Sequence, residues 1–127
     1  MIKEIAFVGY PTTNMKKARS FYEGILGLVP GDEFGPVTDE SEFVEYAVGT
    51  NTLAIGYKHP QYSPDWEPSK KGPSIYFEME NFEEAIKKLK DNNVTFTVEP
   101  IETPSCSLAI VLDPDGNSIG IHQRKIA

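Results

Sequence analysis

The chain has a single cysteine, a single tryptophan and only two histidines, and further scarcities each remove a class of function. One thiol, Cys106, cannot close an internal disulfide, and without a Cys-x-x-Cys pair the signature of structural zinc is missing. Neither a glycine-rich phosphate loop nor a Gly-x-Ser-x-Gly elbow occurs, which disfavours nucleotide hydrolysis and elbow-type hydrolase chemistry. Positive charge is also short. Twelve Lys and Arg against 19 Asp and Glu leave a net charge of −7, which opposes both the phosphate backbone of nucleic acid and anionic lipid. The opening "MIKEIAFVGY" is broken by Lys3 and Glu4 and lacks the length of a signal or membrane-spanning segment, so no membrane partner and a cytoplasmic location are expected.

What is present is an ordinary globular composition, 39% hydrophobic and 11% aromatic over 127 residues, enough for one domain with a real core. Its organisation is a repeat. In "NMKKARSFYEGILGL" the residues Met15, Ala18, Phe21, Tyr22, Ile25 and Leu26 recur at the three-and-four spacing of one helix face, with Asn14 as cap and Gly27 as the left-handed stop. "NFEEAIKKLKDNNV" repeats the design from Asn81, with Phe82, Ala85, Ile86 and Leu89 in the stripe and Glu84 placed for a capping box. The two helices begin 67 residues apart. "TNTLAIGY" and "GNSIGIHQ" superimpose at an offset of 66, which sets Ala54 on Gly120. Each half therefore reads as strand, helix, then two or three strands.

Alternation along the strands divides the side chains between two faces. Ile2, Ala6, Val8, Leu53, Ile55, Ile75, Phe77, Ile119 and Ile121 are expected beneath the helices. Phe7, Ala54, Ser74, Tyr76, Glu78, Gly120 and His122 are expected on the opposite face, where small, polar and aromatic residues mix as a ligand cup requires. If Ala47 pairs with Ala54, Glu45 joins that face with Phe43. The fold class is α+β, with module one over about 1–58, a proline-rich connection over about 59–73 and module two over about 74–127.

"ARSFYEGILGL", "NFEEAIKKLKDNNV" and "LDPDGNSIGIHQ" together resemble the vicinal oxygen chelate superfamily, which includes glyoxalase I, extradiol dioxygenases and the bleomycin and fosfomycin resistance proteins. The resemblance covers nearly the whole chain. It implies a glyoxalase/bleomycin resistance-like fold: two paired βαβββ modules whose antiparallel sheets curl around a central cup. In metal-dependent members one donor from each of four strands holds a divalent ion. Those positions fall here on Phe7, Ala54, Ser74 and Gly120, none of which is a strong donor. The resemblance thus implies a small-molecule ligand in the cup, without a cofactor, and a homodimer.

Candidate chemistry rests on few groups. His122 can exchange a proton or bind an anion, and Glu78 and Glu45 can orient it, act as bases, or form a relocated site for one divalent metal ion with it. That last arrangement would make the protein a metal-dependent lyase, isomerase or dioxygenase. A third reading is a non-catalytic interaction module. Trp66, in the connection with Tyr57 and Tyr62 nearby, is a candidate aromatic lid for the ligand. His59 is expected at the surface, and a lone Cys106 with no histidine close in sequence is expected to be inert.

Overall fold

A computed structural model of the chain describes residues 1–31, 37–38, 41–58, 60–61, 67, 73 and 75–125. It divides into two compact units, Met1–Trp66 and Glu67–Ala127.

In the first unit, β1 (Val8–Thr12) leads into α1 (Met15–Arg19), which continues without a break as a π-helical segment (Ser20–Ile25). The hairpin of β2 (Phe43–Val48) and β3 (Asn51–Tyr57) follows, giving the sheet order β1-β3-β2. Asn14 begins the helix as its sequence suggests, its side chain accepting the Lys17 N–H at 3.0 Å. Gly27 ends it at φ 77°, a conformation that glycine adopts without a Cβ clash. Met15, Ala18, Phe21 and Tyr22 are buried, as are Val44, Tyr46, Leu53 and Ile55 from the sheet. The Tyr22 and Tyr46 rings stack at 6.2 Å. The Tyr46 hydroxyl donates to Glu23 at 2.9 Å, and Arg19 grips the same carboxylate with Nε at 2.7 Å and Nη2 at 3.1 Å. Burial, and then Glu23, hold the Tyr46 phenol well above its usual pKa, so it remains a neutral donor.

Three differences from the sequence expectation have local causes. β1 pairs with β3 in parallel, Val8 against Leu53, while β2 and β3 are antiparallel; the intervening helix supplies the crossover that a parallel pair needs. That register also exhausts β3 near its start, so the chain before it has little strand to pair with. Ile2 is 93% exposed and Ala6 is exposed, rather than lying beneath a helix. The hairpin turns in two residues, Gly49 and Thr50, so Glu45 rather than Ala47 faces Ala54. A two-residue shift preserves the face, and Glu45 still stands with Phe43. Beyond the helix, Pro30 forms a single antiparallel bridge to Tyr46.

The second unit runs β4 (Ile75–Glu78), α2 (Phe82–Asp91), β5 (Phe96–Glu102), β6 (Cys106–Leu112) and β7 (Ser118–Arg124), with sheet order β4-β7-β6-β5. Again the first and last strands pair in parallel and the others antiparallel. Asn81 caps α2 through the Glu84 N–H at 3.1 Å. The return bond of a capping box does not form among the described residues. Gln123 of β7 instead accepts the Phe82 N–H at 2.7 Å and donates to the Glu80 carbonyl at 3.0 Å, satisfying a helix N-terminus from a neighbouring strand. The turn before β7 is organised by Asp113, which accepts from the Asp115 N–H, the Asn117 N–H and the Asn117 side chain at 3.0, 2.8 and 2.8 Å. Phe77, Ala109, Val111, Ile119 and Ile121 are buried with Phe82 and Leu89 of the helix. No helix among the described residues is long and apolar enough to cross a membrane.

Candidate functional site

On the face of the first sheet away from its helix, cross-strand register sets Gly9, Ala54 and Glu45 in one row and Pro11, Gly56 and Phe43 in the next. The central positions of these rows carry a methyl group or a hydrogen. Aromatic rings rise at either side: Phe7 and Phe43 meet edge to face at 6.4 Å while staying 51% and 44% exposed. A concavity of about 780 Å³ opens here, lined chiefly by Phe7, Gly9, Phe43, Ala54, Gly56 and Tyr57. Its volume suits a drug-sized molecule. Exposed Glu42 and Lys58 add charge to the lining. Gly9 and Gly56 were not among the expected binding positions. Their signal is a glycine inside an otherwise apolar strand, a mark of close approach by a ligand or another chain segment.

The second unit's corresponding face is built differently. Gly120, expected on the cup face, is not open space there, because Tyr76 lies over it. A Cβ built at Gly120 would stand 2.2 Å from Tyr76 Cδ1. An aromatic side chain thus covers a glycine on the paired strand, a known device of sheet packing. In the next row Glu78 opposes His122, and the two meet at 2.6 Å between Oε1 and Nδ1. The other carboxylate oxygen accepts the Arg124 backbone N–H at 2.7 Å. The Arg124 N–H, and then His122, hold the Glu78 carboxyl below its ordinary pKa. Two of the three candidate acid–base residues are therefore joined in one unit, and the third, Glu45, belongs to the other unit's sheet, half-buried beside Ala54.

Ser74, Trp66, Tyr62 and His59 lie outside the described residues. Cys106 is half-buried at the start of β6, its sulfur 3.3 Å from the Thr103 hydroxyl. At the positions where the resemblance places metal donors, Phe7 offers a ring packed on Phe43, Ala54 a buried methyl, and Gly120 a backbone beneath Tyr76. These do not fit a divalent ion. Nor do the described residues bring together three His, Cys, Asp or Glu side chains able to hold one elsewhere.

Comparison with known proteins agrees with this architecture. TnmS3, an antibiotic binding protein from Streptomyces sp. CB03234, superimposes with a TM-score of 0.72 at 21% identity, covering 98% of each chain. A glyoxalase/dioxygenase from Nostoc punctiforme gives a TM-score of 0.74 at 16% identity over 98% of this chain and 92% of that one. A superfamily member from Sphaerobacter thermophilus DSM 20745 gives 0.71 at 23% identity over 96% and 98%. No curated protein sequence matches. The model of one family matches residues 4–121, and on that extent the chain belongs to the Glyoxalase/Bleomycin resistance protein/Dioxygenase superfamily.

Proposed function

We propose that the chain binds a small, largely apolar organic molecule on the concave face of the first unit's sheet and does so without a metal ion. The observation that carries this reading is the concavity of about 780 Å³ over Gly9, Ala54 and Gly56, flanked by the exposed rings of Phe7 and Phe43. Small residues let a flat ligand approach the strand backbone, and the rings supply apolar contact. TnmS3 is described as an antibiotic binding protein, so a protein similar in fold serves a comparable purpose.

The test uses anilinonaphthalene sulfonate, an apolar fluorophore that brightens on leaving water. Binding should be saturable and unchanged after dialysis against a chelator. Gly9→Phe should weaken it by about tenfold, or about 1.4 kcal/mol. A Cβ at Gly9 makes only ordinary contact, with the Ala54 carbonyl oxygen and Phe7 Cε2 each at 3.6 Å, and the ring beyond it would crowd Phe7, a wall of the concavity. Equal affinity in parent and variant would overturn the proposal. Native mass spectrometry of the same preparation reads any retained molecule, bound metal, and the expected pairing with a second copy.

A further inference from the structure

Glu78 and His122 form a device that the apolar concavity does not use. One carboxylate oxygen of Glu78 meets His122 Nδ1 at 2.6 Å and the other accepts the Arg124 backbone N–H at 2.7 Å. An ionised carboxylate only accepts hydrogen bonds, so the proton between the two side chains sits on Nδ1. In the neutral ring the lone pair then lies on Nε2. Among the described residues Nε2 has no partner.

Beside this pair lies a platform. Tyr76 and Glu78 are next-but-one neighbours on β4, and Gly120 and His122 on β7, with Tyr76 registered against Gly120 and Glu78 against His122. Tyr76 and His122 are therefore diagonal neighbours on one face, within the reach of aromatic side chains. One side of the Tyr76 ring rests over Gly120 while the residue stays 52% exposed. Arg124, two residues beyond His122 on the same face, is close enough for its charge to be felt at Glu78.

We propose that His122, Glu78 and Tyr76 form a metal-free proton-accepting site for a planar ligand bearing an acidic hydroxyl, a phenol or an enol. The ring stacks on Tyr76 and its hydroxyl meets Nε2. The O–H bond breaks, an N–H bond forms at Nε2, and the electron pair stays on oxygen. The products are a phenolate or enolate paired with the imidazolium beside it, with Glu78 balancing the new charge on the ring. His122 is the base and Glu78 a positioning residue. The site is carried wholly by the second unit, so it stands or falls separately from the first unit's concavity.

The probe is 4-nitrophenol, colourless as the phenol and yellow as the phenolate, in buffer held below its own pKa. The parent protein should turn it yellow saturably, and His122→Gln should lose the colour. In Glu78→Gln the Arg124 N–H retains the amide oxygen, which turns the amide NH₂ toward Nδ1 and moves the ring proton to Nε2. That variant should lose most of the colour while keeping the parent's circular dichroism and a single cooperative melting transition. Nitrogen NMR of the imidazole should show the Nδ1–H tautomer in the parent and Nε2–H in the variant. A colourless parent complex, colour surviving in His122→Gln, or an Nε2–H tautomer in the parent would each overturn the proposal.

Discussion

Gly120→Ala should destabilise the protein only while Tyr76 keeps its ring. A Cβ at position 120 would stand 2.2 Å from Tyr76 Cδ1, 2.6 Å from Cγ and 2.7 Å from Cε1. The obstructing atoms include the root of the ring, so the whole side chain must swing off the strand. Overpacking of this kind costs about 1 to 3 kcal/mol. The Gly120 backbone is not in the left-handed region, so an L-residue fits there once the ring is gone. In a Tyr76→Ala background the same change should then stabilise by about 0.4 to 1 kcal/mol, by reducing the freedom of the unfolded chain. The coupling between the two positions is the difference, about 1.4 to 4 kcal/mol and unfavourable. Urea unfolding of the parent, both single variants and the double variant measures it. Additivity within about 0.5 kcal/mol would refute the reasoning, because it would mean that Tyr76 does not occupy the space above the glycine.

Phe21→Ala should cost about 3 to 5 kcal/mol in the same assay, since the ring is 3% exposed and packs edge-on against Tyr22 at 5.0 Å; a loss under 1 kcal/mol would contradict the burial of that helix face. Glu78 has a carboxyl held below its ordinary pKa of 4.5, so the stability it contributes is present above that value and is lost as pH falls through the lower folded value. The stability difference between parent and Glu78→Gln should therefore shrink in acid, from a small start because Glu78 is half exposed; a difference that grows in acid would reverse the sign of the argument.

Much of the backbone was legible because the helices announce themselves twice. Asn14 and Asn81 stand at equivalent places in the repeat, and each caps its helix through the third residue beyond it. Strand faces followed from alternation, which explains why Glu45 remained on the cup face although its partner differed by two residues. What alternation leaves open is the partner strand. Nothing within "EIAFVGY" reveals that β1 pairs in parallel and leaves Ile2 and Ala6 exposed. The widened turn at Ser20–Ile25 was hidden for a related reason, as Phe21 and Tyr22 satisfy an α-helical stripe and a π-helical one equally well. At the site, the emptiness of position 120 was legible but its filling was not, because the rotamer of Tyr76 on another strand decides it. The contact between Glu78 and His122 needed the β4–β7 register, which sequence distance does not supply.

The repeat also explains where the first unit's concavity comes from. Tyr76 of the second unit has Gly9 as its counterpart in the first, Glu78 has Pro11, and His122 has Gly56. Both units share the parallel register that sets these positions side by side, Gly9 on Ala54 and Tyr76 on Gly120. The same scaffold thus carries a ring, an acid and a base in one copy and almost nothing in the other. The concavity of the first unit is lined by those same three positions, Gly9, Pro11 and Gly56, so it opens where the repeat leaves the strands bare and the second sheet presents a ring, a carboxylate and an imidazole.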